Sequence, residues 1–492
     1  MNYRSDILII GSGITGCATA RELSRFHASV IVLEKGPDLA EGATKANSGI
    51  IHAGYDAIPG TQKARYNVLG ASMFPALCRE LHVPYSQCGA LVIALDENER
   101  HILEELKQRG EKNGVQHLSL IEKEKVLELE PNINPDVVCA LYVPDSAIVS
   151  PYETAFAMAD DAALNGVSFM FGQPAENVRK NGLYFIVQTE KDSFECKALI
   201  NCAGSGGADI HNMLSGSKLE MIHRRGQYYL LDRSASQPFS RTVFQCPSDM
   251  GKGVLVSPTV HGNLIIGPTA EDISDPDDTS TTAAGLSDIL RKTVRTWPSL
   301  SVRQNITNFS GIRAHLKSND FIVGPCPDVD GYFEAIGIES PGLSSAPAIA
   351  RDISSQVSMY LKLKLKDKTV LPDTPPCSFH DMSDEQRAAA VEADPAYGNI
   401  ICRCEMVTEA EIRAAVRRPV GARTVDGVKR RTRAGMGRCQ GGFCLPRVAD
   451  IISEETGIPL QYVTKDGGNG YLLAGSVETF LKGEMRDGQP EN

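Results

Sequence analysis

The run DILIIGSGITG at residues 6–16 restricts the fold more than any other feature of this 492-residue chain. An apolar stretch that ends in Gly-x-Gly-x-x-Gly reads as a strand feeding a tight turn and then a helix. Here the pattern predicts a strand over 6–10, a turn over 11–16, a helix over 17–26 and a second strand over 29–35. In that β-α-β frame Gly11 permits the turn, Gly13 lets a pyrophosphate approach the backbone, and Gly16 lets helix and strand pack closely. Glu34 closes the second strand, where a carboxylate accepts hydrogen bonds from ribose hydroxyls. The pattern predicts a dinucleotide site and leaves NAD and FAD both open.

The length predicts two or three domains. With 61 acidic against 50 basic side chains the net charge is −11, which argues against general affinity for nucleic acid or anionic lipid. One segment has the opposite sign. From Arg403 to Arg447 basic residues outnumber acids, with KRRTR at 429–433, and this stretch is expected either to face an acidic partner or to form a solvated surface. MNYRSDILIIGSG lacks a signal core and no uncharged run reaches the ~18 residues of a membrane span, so a cytoplasmic location with reduced thiols is expected.

Nine of the cysteines (Cys17, Cys78, Cys88, Cys139, Cys196, Cys202, Cys246, Cys326 and Cys377) are scattered singly, as packed small apolar residues are. The other four form two pairs, Cys402 with Cys404 and Cys439 with Cys444. Four thiolates brought together suit zinc or an iron-sulfur cluster. Structural zinc favours two to four residues between paired ligands, so CRC fits it poorly, whereas a [2Fe-2S] centre takes two ligands per iron. Structural zinc and free thiols stay as the alternatives. Thr408 with Glu411 marks one helix start and LPRVADIISEE after Cys444 another, and helix N-termini favour nearby thiolates. Gly435, Gly437, Gly441 and Gly442 allow amides to turn toward sulfur, and the arginines are expected to make a cluster easier to reduce. A one-electron centre favours flavin over nicotinamide as its source.

Elsewhere, Ser150 as N-cap, Pro151 in the first turn, Glu153 completing a capping box and Gly166 as terminator predict a helix. Short strands follow over 168–200, with a hairpin at KNGL (180–183), and then ALINCAGSGG reads as a returning parallel strand. Runs such as QYYLLD, GVLVSP and NLIIG predict an antiparallel sheet between about 217 and 270. In SPGLSSAPAIA a helix begins after Pro341, and the amides of Gly342, Leu343 and Ser344 suit the negative charge of a reduced flavin, the plain helix entry being the alternative.

The four cysteines, set in TVDGVKRRTRAGMGRCQGGFC, resemble the bacterioferritin-associated-ferredoxin type of [2Fe-2S] domain over about residues 398–450. Residues 5–360 resemble the FAD-dependent glycerol-3-phosphate dehydrogenase and D-amino-acid oxidase superfamily, near its L-2-hydroxyglutarate oxidase branch. The segments that carry this are GSGITG, GATKANSGIIHAGYD, LINCAG, RRGQYYLLD, GVLVSPTVHGNLIIGPTAED, FSGIRA and IESPGLSSAPAIA. The two together are similar to the catalytic subunits of anaerobic, multi-subunit glycerol-3-phosphate dehydrogenases.

The resemblance implies an α/β (α+β overall) fold with a Rossmann-type FAD-binding domain, an antiparallel-sheet substrate domain and a small helical [2Fe-2S] domain. The expected boundaries are 1–75, 150–215 and 320–360 for the flavin domain and 76–149 with 216–319 for the substrate domain. A linker over 361–397, the cluster domain over 398–450 and a tail over 451–492, within which GIPLQYVTKDGGNGYLLAGSVETF (457–480) is read as a docking segment, complete the chain. Thr44, Asn47 and Ser48 are implied to line the flavin, with Lys35, Ala203 and Gly204 also at the cofactor.

His52 is the implied general base, a structural hydrogen-bonding role or a covalent flavin link being its alternatives. Arg313 is the implied anchor of the substrate's anion, and Arg225 and Lys252 are weaker candidates for the same pocket. The implied reaction is oxidation of a small anionic secondary alcohol, glycerol 3-phosphate first, with L-2-hydroxyglutarate and hydroxyproline-type substrates as rivals. Electrons then pass through FAD and the cluster to partner subunits of a hetero-oligomer, and a non-catalytic electron-transfer or scaffold subunit is the reading from another class.

Overall fold

The computed structural model describes residues 1–235, 239–247, 253–372 and 378–475. The chain divides into a large compact unit, residues 1–33 and 40–372, and a smaller one, residues 34–39 with the C-terminal part from 373.

The large unit opens with β1 (Asn2–Ile10), α1 (Ile14–Leu23) and β2 (Val30–Leu33), the two strands parallel with Ile7 opposite Val30. The helix starts three residues before the position the sequence predicts. Gly13 has no side chain to cap it, and the hydroxyl of Thr44, 30 residues on, accepts from the Ile14 N–H at 2.9 Å. A cap lent by a distant loop leaves no local signal. Gly11 sits at φ +98° against the Cys202 carbonyl, where any Cβ would overlap it.

On the far side of β1 the strand Ser193–Asn201 runs parallel, and Ser168–Met170 continues the sheet beyond β2. Tyr332–Ile336 adds a parallel strand at Leu199–Asn201, while the hairpin Asn177–Asn181 and Tyr184–Gln188, turning at Gly182, edges the sheet. Ile7, Ile9, Val32, Ile200, Ile349 and Ile353 are wholly buried around it, each contributing about 1.5–3 kcal/mol by burial. The helix Pro151–Leu164 forms, but without its predicted capping box. Ser150 makes no side-chain cap bond, and the Glu153 carboxylate, which would supply the other half of the box, pairs through Oε1 with His261 Nε2 at 2.7 Å.

The second sheet of this unit is built on β3 (Met221–Leu231) and β4 (Asn305–Leu316), paired antiparallel with Arg224 opposite Arg313. It continues through Leu264–Gly267, Leu255–Pro258, Thr242–Gln245, Ala90–Ala94, Cys139–Val143 and Ser119–Glu122. Thr242–Gln245 joins Ala90–Ala94 in parallel, so the sheet is mixed, not purely antiparallel. Two helices, α2 (Gln62–Glu80) and α3 (Gly342–Leu361), pack on each other, and Asp320 accepts from the Gln62 and Lys63 N–H groups at the start of α2.

The small unit packs the helices Glu409–Arg417, Val425–Thr432 and Leu445–Thr456 around Ile412, Val428, Ile451 and Ile452. Thr408 and Glu411 make the predicted capping box. Three expectations are corrected here. The stretch read as linker holds a helix, Asp384–Ala393, with its own Ser383–Gln386 capping box. The tail read as a docking segment is part of this unit's core, for Ile458, Val463 and Leu472 pack into it; residues 476–492 lie outside the described ones.

The third concerns the basic run. Arg430 and Arg431 bury their guanidinium groups on Asp38 of the same unit, and Arg433 pairs with Glu405 at 2.8 Å. Arg413, Arg417 and Arg447 are spread over Glu409, Glu454 and Glu455. These six arginines are paired within the unit with five carboxylates, Arg430 and Arg431 sharing Asp38, so most of their charge is spent internally rather than offered to an acidic partner or to the cluster.

Replacing Gly11 by valine places a β-branched side chain at positive φ against the Cys202 carbonyl. The expected outcome is a lower thermal midpoint and purified protein without flavin absorbance. Retained flavin at the wild-type midpoint contradicts the reading of this turn.

Candidate active site and cluster site

The loop after residue 40 is folded onto the dinucleotide turn by its own polar groups. The turn Ala43–Lys45 sets Thr44 against Gly13 and the Ile14 amide. Asn47 donates to the Ala43 and Thr44 carbonyls and accepts from the Gly49 N–H, so its amide holds the loop closed; Ser48 follows, half-buried. Ala203 donates its N–H to Asn201 Oδ1, and with Gly204 it forms the turn after the strand whose end abuts Gly11.

The strand Ile50–Ile51 then delivers His52 into the interior. Its N–H donates to Ser344 Oγ at 2.8 Å and its carbonyl accepts from Asn67 Nδ2 at 2.6 Å. The ring lies 5.8 Å from that of Phe244 and lines a cavity with Gly54, Tyr55, Asp56, Ala57, Asn67 and Pro341. Ser344 is in the first turn of α3, so Gly342, Leu343 and Ser344 bring a helix N-terminus beside His52. Sequence reasoning missed Asn67. The available signal was an amide at a buried position of an otherwise ordinary amphipathic helix, since a buried Asn must have a partner.

The arginines expected at a substrate's anion lie on β3 and β4. Arg313 is half-buried, donates to the Thr269 carbonyl at 3.3 Å, and makes no ion pair among the described residues. Gly226 gives its guanidinium room, and on the same face Gly311 lets the Ala46 carbonyl of the Thr44 loop lie flat against the sheet. Arg224, directly opposite Arg313, is held bidentately by Asp272 at 2.6 and 3.1 Å.

Arg225 is corrected as a pocket candidate: alternation along β3 puts it on the opposite face, where Glu271 and Asp278 engage it at 2.9 and 2.6 Å. Lys252 lies outside the described residues. Glu34, in the small unit, is buried and accepts from the Gly36 N–H at 2.8 Å, while its neighbour Lys35 is exposed.

In the small unit the four paired cysteines converge. Cys402 and Cys444 are buried, Cys404 is exposed and Cys439 is intermediate, with Cys404 Sγ 3.6 Å from Cys439 Sγ. The Cys444 thiol, then the backbone N–H groups of Gly435 and Glu405, hold Cys402 down to about 6. Against burial, the Cys404 thiol and the N–H groups of Phe443, Gly441 and Gly442 hold Cys439 below the usual thiol range. Amides aimed at sulfur, from positions the glycines keep open, are what thiolate ligands of a cluster need. The single cysteines behave otherwise: burial pushes Cys78 and Cys202 up to about 12, and Cys377 lies outside the described residues.

Both cofactor sites fit their groups. The Gly11–Gly16 turn, with no room for a side chain at Gly11, admits a pyrophosphate, and the Thr44 loop and the α3 N-terminus stand where a flavin needs polar lining. Two buried and two more exposed sulfurs with inward amides suit a [2Fe-2S] centre. Two family models agree: residues 6–356 match "FAD dependent oxidoreductase" and residues 400–454 match "BFD-like [2Fe-2S] binding domain".

The chain belongs to the FAD dependent oxidoreductase family, and its cofactors are FAD and a [2Fe-2S] cluster. Over 97% of its length it is 45% identical to the glycerol 3-phosphate dehydrogenase of Caloramator mitchellensis, covering all of that protein. It is similar in structure to the dithionite-reduced, FAD-bound L-alpha-glycerophosphate oxidase of Mycoplasma pneumoniae, with a TM-score of 0.73 and 32% identity over 76% of this chain and 99% of that one. A more distant relative is the mitochondrial L-2-hydroxyglutarate dehydrogenase of Arabidopsis thaliana, 26% identical over 72% of this chain and 83% of that protein.

Metal and sulfide analysis of anaerobically prepared protein should return about two irons and two sulfides per chain without zinc. Cys402→Ala should lose both together with the cluster's visible absorption while keeping flavin. Zinc in this site overturns the assignment.

Proposed function

We propose that this chain oxidises the secondary alcohol of glycerol 3-phosphate to the ketone, giving dihydroxyacetone phosphate, and hands the two electrons to a protein acceptor. The observation that carries this is the similarity along the whole chain, flavin module and cluster module together, to a protein named glycerol 3-phosphate dehydrogenase. Bound FAD supplies a two-electron acceptor that releases electrons singly, and the [2Fe-2S] centre takes one at a time.

The chain's own residues bind and orient. Arg313, free of any carboxylate among the described residues, clasps the phosphoryl group with its planar fork. His52, fixed by Ser344 and Asn67 through its backbone, accepts the hydroxyl proton as the C–H bond gives up its hydride. The N-terminus of α3, with Gly342, Leu343 and Ser344, stabilises negative charge on the reduced ring.

The acceptor is one or more partner subunits, which gives the appended cluster its use. The chain works in the cytoplasm, reaching a membrane only through such a partner. Among the described residues no helix is long and apolar enough to cross one.

The test is anaerobic flavin bleaching with a panel of substrates. Glycerol 3-phosphate should bleach the flavin and L-2-hydroxyglutarate should not; the reverse result replaces this reading with the hydroxy-acid one. Arg313→Ala should lower kcat/KM by about a hundredfold or more with flavin retained. His52→Gln should lower kcat by roughly 10²–10⁴. Full activity of the complex with both replaced favours a scaffold role.

A further inference from the structure

The four cluster cysteines arrive on two loops. Residues 402–406 carry Cys402 and Cys404; residues 433–444, which follow the helix Val425–Thr432, carry Cys439 and Cys444. A ligand set split in this way needs the loops held in register, and two contacts between them do so. Gly437 packs so closely on the first loop that a Cβ there would stand 2.3 Å from Cys404 Cβ and 3.3 Å from Glu405 Oε1. Arg433 reaches across and donates from Nε to Glu405 Oε2 at 2.8 Å, both side chains being nearly buried, at 13% and 5% exposure. The backbone N–H groups of Glu405 and Gly435, one from each loop, face the Cys402 sulfur.

The backbone shows that the arginine is there for its side chain. Arg433 ends the helix Val425–Thr432 at φ +69°, its N–H bonded to the Lys429 carbonyl at 2.8 Å. That left-handed position favours glycine, and other residues hold it at a cost. The helix Leu445–Thr456 of the same unit ends in the same conformation, at φ +73°, and there the residue is Gly457. Met406, next after Glu405, is left-handed too, at φ +51°. Strained residues thus flank the ion pair on both loops, as happens where surrounding contacts over-determine a site.

Charge gives the pair a second use. A cluster held by four thiolates is an anion and becomes more negative with each electron it takes. A carboxylate left alone beside Cys404 would oppose that charge, whereas the guanidinium of Arg433, which keeps its proton at any working pH, cancels it where it stands.

We propose that Glu405 and Arg433 form the clasp of the cluster site: the pair locks the two cysteine loops together and cancels the carboxylate's charge beside the cluster. Both are positioning residues and neither is a ligand. The clasp serves any electron that reaches the cluster, whatever substrate supplies it. It rests on the [2Fe-2S] assignment, which the iron and sulfide count of the wild-type protein tests separately.

The test uses the full-length holoprotein, prepared anaerobically, with iron loss to a chelator and a redox titration as readouts. Arg433→Gly removes the clasp but relieves the left-handed backbone, so a residue that only caps its helix would give unchanged or slower iron loss. The clasp predicts loss about tenfold faster or more, with flavin content unchanged. Arg433→Lys keeps the charge and should lose iron within about threefold of the wild-type rate. If Arg433→Gly takes up no iron, Arg433→Lys must still assemble the cluster; absence in both overturns the proposal. Glu405→Gln keeps the shape of the pair and leaves the Arg433 charge in place. It should favour the reduced cluster about threefold or more, roughly 28 mV at about 59 mV per tenfold for one electron. Adding Arg433→Gln to it should return the potential toward the wild-type value. Iron loss at the wild-type rate in Arg433→Gly, or an unchanged potential in Glu405→Gln, overturns the proposal.

Discussion

The contact between the Ala46 carbonyl and Gly311 organises the large unit. Without a Cβ at 311 the loop that carries Thr44 and Asn47 lies directly on the sheet face that carries Arg313. The same loop reaches back to the dinucleotide turn, where Thr44 caps α1. One short segment thereby ties the nucleotide-binding sheet to the substrate sheet. His52, which follows it, is fixed from the other side by Ser344 at the start of α3. The dinucleotide turn, the sheet face of Arg313 and the start of α3 are thus joined to one segment of chain by close contacts, which tolerate little rearrangement.

Charge is arranged by the same economy. Among the described residues many guanidinium groups are matched: Arg21 by Asp161 and Glu80, Arg225 by Glu271 and Asp278, Arg431 by Asp38. Burying such a pair gains little net stability, while leaving one partner alone is costly. A half-buried arginine with no carboxylate among the described residues therefore carries information that a basic sequence run does not. Arg313 is such a group, and the KRRTR run is not.

Much of the site was legible because its chemistry is local. Gly11, Gly13 and Gly16 sit in an unbroken strand-turn-helix pattern, and Thr408 with Glu411 spells its capping box within four residues. The cluster cysteines were readable because thiolates in close pairs amid glycines have few other uses. The failures share a cause. Ser150 and Glu153 have the right spacing for a capping box, yet His261, 108 positions away, competes for the carboxylate. Arg225 and Arg224 are neighbours in sequence and opposite in facing, and only the strand's register decides which one stands beside Arg313.

By itself the sequence determined that this chain would hold a dinucleotide in a β-α-β unit and gather four sulfurs near its C-terminal end, because both depend on short-range backbone geometry. The tertiary structure decided which charges are spent and which remain available. Asp272 takes Arg224, Asp38 takes the buried arginines of the small unit, and Glu339 takes Lys63 and His315 together. Electrostatic pairing acts between residues tens or hundreds of positions apart, so which cations keep no carboxylate, Arg313 among them, is decided only once the chain has folded.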